Sequence, residues 1–426
     1  MKFSTAVWFI SVASCLLAMV ACATDQPGDS PRRLTTWLTA NAVPITTTDP
    51  NFAKVDDLKK FGDAVGTARI VLLGEQTHGE GNVFSLKVRL VKYLHEHLGF
   101  DVLVIESGMF DGAQIWHDVL AGAATTSEAR GSIFFMYSRA DQVQPLFQYI
   151  DTQKATASPL ILASIDTPHA GLKSEQLLLS KLTEYLIQNH LNSITASPDW
   201  AGFIEVATKV IALENPRGAR RAEFLRTVTA LETSLKAIPE KDSTALNSSG
   251  FWLEIVKSIA AQFEDLTAWR RSRARDDQMA DNLEWLAHDA YPGKKLIVWA
   301  HNAHCLNVFP SMGADLKAAH GNDLYTVVFT GSTGSFLELS FKPETIRTPA
   351  TGSWESAWHQ TGQAVSFLDV RKATTDTDGS QFLKGRLTIR LLGYRDEDFS
   401  GQKVGGLGRV VDGIFYLDQI QPVTIK

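Results

Sequence analysis

The chain has 426 residues, of which 44% are hydrophobic and 21% charged, and a formal net charge of −6. Those fractions are ordinary for a folded globular protein and exclude a disordered chain. No basic tract offers the clustered Lys and Arg that nucleic-acid phosphates demand, so nucleic-acid binding is set aside.

The first segment reads as an export signal. Lys2 carries a positive charge, Ala6 to Val20 is mostly apolar, and Met19-Val20-Ala21-Cys22 places small residues before a cysteine. The apolar run is short for a membrane span. The box resembles a lipoprotein cleavage site, in which the cysteine is lipidated and its acyl chains hold the protein to a membrane. The expectation is therefore a signal peptide over 1–21 and a membrane contact through lipidated Cys22, in the periplasm or at the outer membrane. Cleavage there leaves Cys22 and Cys305, and a lipidated Cys22 cannot pair, so no internal disulfide is expected. Residues 22–51, rich in Thr, Pro, Asp and Ser with a short amphipathic piece at Leu34 to Leu38, read as a tether. The folded body is expected over 52–426.

Within that body a short apolar run stops at an ionisable residue four times. Ile70-Val71-Leu72-Leu73 meets Gly74-Glu75 and then His78; Val102-Leu103-Val104-Ile105 meets Glu106; Leu160 to Ile165 meets Asp166; Leu296 to Trp299 meets His301 and His304. Such uniformly apolar runs suit strands buried on both faces. Between the first two, Val83, Leu86, Leu90, Leu94 and Leu98 recur at helical spacing and Gly99 can close the helix. Strand, helix, strand is a right-handed crossover with parallel strands, whose carboxyl ends share one edge of the sheet. The fold class is α/β: a mostly parallel central sheet flanked by helices, with four polar clusters meeting at one rim.

From about 174 to 290 the chain reads as a large helical insertion, with Leu177, Leu178, Leu182, Tyr185 and Leu186 on one apolar face and Phe263, Leu266 and Trp269 on another. Inside it, Arg270 to Asp277 is a charged run in which Arg271 and Arg275 lie a turn apart. Most of such a run is a solvated face; Arg275 is the member assigned to the site. Later strands are expected at Leu324 to Phe329, Phe336 to Phe341, the latter an edge strand, and Val410 to Leu417.

The clusters carry acid–base chemistry. In Gly74-Glu75-Gln76-Thr77-His78-Gly79 the glycines permit backbone angles that turn a carboxylate and an imidazole into a cleft. An imidazole, with an ordinary pKa of about 6.5, can take a proton from water, and a neighbouring carboxylate fixes its tautomer. Glu106 and the pair His301 and His304 add a second carboxylate and two imidazoles. The same residue types could instead ligate a metal, but no HExxH helix or complete zinc spacing occurs. A G-x-S-x-G elbow and a phosphate-cradling loop are absent, and Cys305 reads as a buried thiol rather than a nucleophile.

The order Leu72-Leu73-Gly74-Glu75-Gln76-Thr77-His78-Gly79, Leu98-Gly99-Phe100, Glu106, Met136-Tyr137, Arg275-Asp276 with Met279-Ala280 and Asn282, and Val298 to His304 resembles the erythromycin esterase family, over about Phe52 to Pro422. The resemblance implies a hydrolase that opens a macrolide lactone by activating water, with no cofactor and no metal. Carried over, Glu75, His78, Glu106, His301 and His304 match its motifs, and Arg275 joins them as catalytic. Where some members carry Arg in the first helix this chain has Lys87, with Arg89 two residues on; with Asp166 these are expected to contact substrate. The export signal departs from cytoplasmic antibiotic-resistance enzymes. The reading is thus an ester or lactone hydrolase in which His78 or His301 is the base, Glu75 and Glu106 orient histidines and water, and Arg275 with the second imidazole stabilises the oxyanion. Its alternatives are a metal-dependent hydrolase built on the same residues and a non-catalytic envelope protein that binds a ligand.

Overall fold

The computed structural model describes residues 29–426 apart from 219, 240–244, 270–271 and 401–404. The expected signal peptide, Cys22 and Arg271 lie outside the described residues.

The strands are β1 (Val43–Pro44), β2 (Ile70–Glu75), β3 (Phe100–Gly108), β4 (Ile161–Asp166), β5 (Lys295–His301), β6 (Leu324–Leu337), β7 (Pro343–Thr345), β8 (Val365–Asp369), β9 (Thr388–Arg390), β10 (Asp396–Asp398) and β11 (Gly413–Ile420). Nine of them form one sheet in the order β1-β8-β11-β6-β2-β5-β3-β4, with β7 folded back on β6. From β11 to β4 every pairing is parallel. The expected α/β class and mostly parallel sheet are present.

Alternation explains why these runs are apolar throughout. Val71 and Leu73 enter a core under the helix Gly81–Leu98, while Ile70 and Leu72 enter another under the helices between β4 and β5. Both faces are covered, so both residue sets must be apolar. The helix Gly81–Leu98 ends where Gly99 takes the left-handed conformation at φ 69°, as its position suggests. From Ser174 to Ala290 the described chain is almost entirely helical. No helix among the described residues is long and apolar enough to cross a membrane.

Three local expectations are corrected. The tether is not one: Asp29–Asn41 is a helix whose Leu34, Trp37 and Leu38 are buried against Trp354 and Phe382, and β1 pairs with β8. Its amphipathic spacing is visible in the sequence, but its partners lie some three hundred residues on. The strand expected at Phe336 to Phe341 is instead the end of β6 and a turn; Phe341 has φ 62° and the chain doubles back as β7. Trp269 lies beyond the end of the helix Ser249–Thr267 and is 93% exposed, so it belongs to no apolar face.

Candidate active site

The parallel register sets Glu75 of β2 directly beside His301 of β5. An irregularity in β3 between Ile105 and Gly108 falls on Glu106. Asp166 ends β4, and the helix Ala274–Trp285 brings Arg275 and Asp276 over the same rim. His78, Glu106, Asp166, Arg275, His301 and His304 line one cleft of about 680 Å³. Glu75 is fully buried behind His78.

The two motif glycines do this by absence of bulk, not by unusual backbone angles, since neither has positive φ. A Cβ on Gly74 would strike the Asn302 side chain, and one on Gly79 would strike the Leu337 backbone. The loop carrying His78 is thereby docked against the end of β6, where the Leu337 amide donates to the Gly79 carbonyl at 3.0 Å.

The histidines differ in what their nitrogens are doing. His78 Nδ1 lies 3.2 Å from Glu75 Oε1 and 3.1 Å from the Tyr137 hydroxyl. Tyr137 itself donates to Glu75 Oε1 at 2.5 Å. A carboxylate can only accept, so the proton belongs on Nδ1 and the Nε2 lone pair is left for the cleft. His301 has neither nitrogen spare: Nε2–H donates to the Gln76 carbonyl at 2.7 Å, and Nδ1 accepts from the Ala303 amide at 3.0 Å. Burial, reinforced by His78, pulls it down to about 4, so its ring is neutral near pH 7. His304 bridges Asp276 at 2.8 Å and Glu106 at 3.4 Å. Burial opposes its charge, yet Glu106 and Asp276 outweigh burial and raise it to about 10, making it an imidazolium.

Glu106 is surrounded by donors: the His301 amide at 2.6 Å, Arg275 at 3.2 Å and His304. Burial alone would raise its pKa, but His304, His78 and Arg275 hold it well below the usual carboxylate range. Arg275 grips Asp166 through Nε at 2.9 Å and one terminal nitrogen at 2.7 Å. Asp166 therefore lines the cleft with its oxygens already engaged.

Lys87 and Arg89 do not line the cleft, which corrects their expected contact with substrate. Lys87 is completely buried, donates to Glu75 Oε2 and lies 4.4 Å from the centre of the Trp299 ring. Arg89 points away to clamp Asp57 at 2.7 and 3.0 Å and the carbonyls of Thr47 and Lys54. Two residues apart, they leave the helix on different sides, Lys87 towards Glu75 and Trp299 of the sheet and Arg89 towards the 47–57 segment, and each long cationic side chain ends on a buried acid rather than in solvent.

Tyr137 and Asp276 take part in the site without having been assigned to it from sequence. Asp276 follows Arg275 directly, and its signal was that adjacency; Tyr137 lies on a short helix, Phe135–Ser138, that carries no periodicity. Among the described residues no three His, Cys, Asp or Glu side chains are arranged to hold a metal ion. Cys305 is free and buried behind the site.

An open, largely parallel α/β sheet with an imidazole and carboxylate cluster at its carboxyl edge has the layout of an acid–base catalyst. Comparison with known proteins makes the assignment specific. The chain belongs to the erythromycin esterase family, whose model, described as Erythromycin esterase, matches residues 95–420. Membership supports a hydrolase. That span begins after Glu75 and His78, but longer matches cover them. The chain is 28% identical to YbfO of Bacillus subtilis, provisionally named a hydrolase, over 91% of each chain. It is 24% identical to an erythromycin esterase type II of Escherichia coli, over 81% of this chain and 90% of that one. In structure it resembles a Bacillus cereus protein with TM-score 0.75 at 21% identity, covering 93% of this chain and 99% of that one. It also resembles a mutant erythromycin esterase in its open conformation with TM-score 0.60 at 17% identity, covering 89% and 97%. These structural likenesses establish the fold.

Proposed function

We propose that the protein hydrolyses a carboxylic ester or lactone without a metal, with His78 as general base. The observation that carries this reading is the contrast between the imidazoles: the Nδ1 edge of His78 is held by Glu75 and Tyr137, whereas both nitrogens of His301 are committed. His78 Nε2 takes a proton from water, and the water oxygen attacks the carbonyl carbon. The bond to the alcohol oxygen then breaks, and the same proton returns from Nε2 to that oxygen, leaving acid and alcohol. Arg275 and the His304 imidazolium supply positive charge near the developing oxyanion. Glu106, pinned among them, orients the base and the water. Two Escherichia coli relatives bear the names erythromycin esterase type I and type II, which makes macrolide lactones one candidate substrate class.

The test is turnover of an ester and lactone panel by wild type and His78→Ala. General-base help of this kind contributes roughly 10²–10⁴ in rate. A His78→Ala protein that folds normally and turns substrate over at the wild-type rate removes His78 from the mechanism. Activity lost on chelation and restored by a divalent ion would favour a metal-dependent route instead.

We also propose that the chain is exported and anchored through Cys22, on the strength of the small residues before that cysteine. Incorporation of labelled palmitate by wild type but not by Cys22→Ser is the expected result; equal labelling, or none in either, rejects the anchor.

A further inference from the structure

A second depression reaches His78. It is a groove of about 430 Å³ lined by Gln76, Thr77, His78, His301 and the segment 336–340. It shares His78, His301 and Leu339 with the main cleft, so Leu339 stands as a partition between two spaces that meet at the imidazole.

The two spaces differ in the charge they hold. The main cleft has Glu106, Asp166, Arg275 and His304 beside an apolar side of Ile133, Phe134, Phe135 and Leu213. The groove is walled by Phe336, Leu337 and Leu339, and most of its polar groups other than His78 Nε2 have a partner within the protein. The Gln76 carboxamide accepts from the Tyr394 amide at 3.1 Å and donates to Thr330 at 3.3 Å, while the Gln76 backbone carbonyl accepts from His301 Nε2. The Thr77 hydroxyl accepts from the Gly79 amide, and the Glu338 carboxylate accepts from Ser340. Away from His78 and the Glu338 carboxylate, the groove offers mainly hydrocarbon contact. The wall is also held in place: Phe336 stacks on Tyr394 at 5.5 Å, Leu337 is tied to Gly79, and β7 pairs with the end of β6. Leu339 at the tip is 54% exposed, so the groove opens to solvent and can admit a chain.

We propose that this groove is an apolar subsite for an unbranched hydrocarbon arm of the ester, with the main cleft taking the remainder, and that the turn between β6 and β7 sets the arm's length. The proposal rests on the hydrolase reading and deepens it by naming the substrate class. The arm can belong to the acid or to the alcohol.

Ser340→Trp, at an exposed position lining the groove alone, should fill it. Wild type and variant are compared on p-nitrophenyl acetate against octanoate, and on ethyl against octyl acetate. The expected result is a fall of about tenfold or more in the long-to-short ratio of kcat/KM in one series, since single methylenes in a fitted pocket already change selectivity on that scale. A change in the first series assigns the acyl arm to the groove, and in the second the alcohol arm. Ratios unaltered in both series overturn the subsite. If wild type hydrolyses none of these esters, they give the hydrolase reading no support, and the groove is judged by calorimetric titration with octanamide. Binding to wild type that Ser340→Trp weakens upholds the groove, and absence of binding to wild type overturns it.

Discussion

The Lys87 ammonium meets the Glu75 carboxylate with neither side chain exposed to solvent. Burial pulls Lys87 below the ordinary lysine range, and Glu75 opposes that pull. The acid that holds His78 is thus itself held from behind by a cation that never touches the cleft. Removing one member of such a pair leaves an uncompensated buried charge, which typically costs about 3–5 kcal/mol. Lys87→Met should therefore lower unfolding free energy in urea by that order, and Lys87→Met with Glu75→Gln should recover much of it. A single variant as stable as wild type would show the pair to be energetically idle.

A pH dependence follows from His304. Its folded pKa of about 10 lies above the ordinary histidine value near 6.5, so its contribution to stability is complete below about 6.5 and is lost as pH rises towards 10. His301 acts at the other end: held down at about 4, its contribution is present above about 6.5 and is lost as pH falls towards 4. Unfolding free energy measured from pH 6.5 to 10 should decline more steeply for wild type than for His304→Gln. Parallel curves would mean that His304 is not charged in the folded protein.

Gly79 is predicted to be intolerant of any side chain, because a Cβ there would enter the Leu337 backbone. Gly79→Ala should cost about 1–3 kcal/mol, the usual range for overpacking. It should also reduce kcat/KM, because the displaced loop carries His78. Wild-type thermal stability and wild-type turnover together would refute the close docking of loop and hairpin.

The N-terminal helix should behave as part of the core. Leu38 is fully buried, and truncating such a leucine to alanine costs about 2–5 kcal/mol. Leu38→Ala should lower the unfolding midpoint in urea accordingly. A negligible shift, within about 0.5 kcal/mol as for surface substitutions, would restore the tether reading.

Much of this protein is written in local pattern. Period-two burial needs only that both faces of β2, β3 and β5 be covered, so their uniformly apolar runs announce parallel strands. Parallel strands in turn oblige Glu75, Glu106, Asp166 and His301 to share an edge. The helix Gly81–Leu98 and its Gly99 stop follow from spacing within a single segment. What the tertiary structure alone decided is everything that depends on a partner distant in sequence. Lys87 and Arg89 read as substrate contacts until Glu75 and Asp57 are seen to hold them. The Leu34, Trp37 and Leu38 stripe has no meaning until Trp354 and Phe382 arrive to cover it. His78 and His301 are equivalent on paper, and they are distinguished by a backbone carbonyl, an amide and a tyrosine that the fold delivers to their ring nitrogens. Spacing along a chain encodes which face a side chain occupies; the hydrogen bonds that set its protonation are made with whatever the rest of the fold brings alongside.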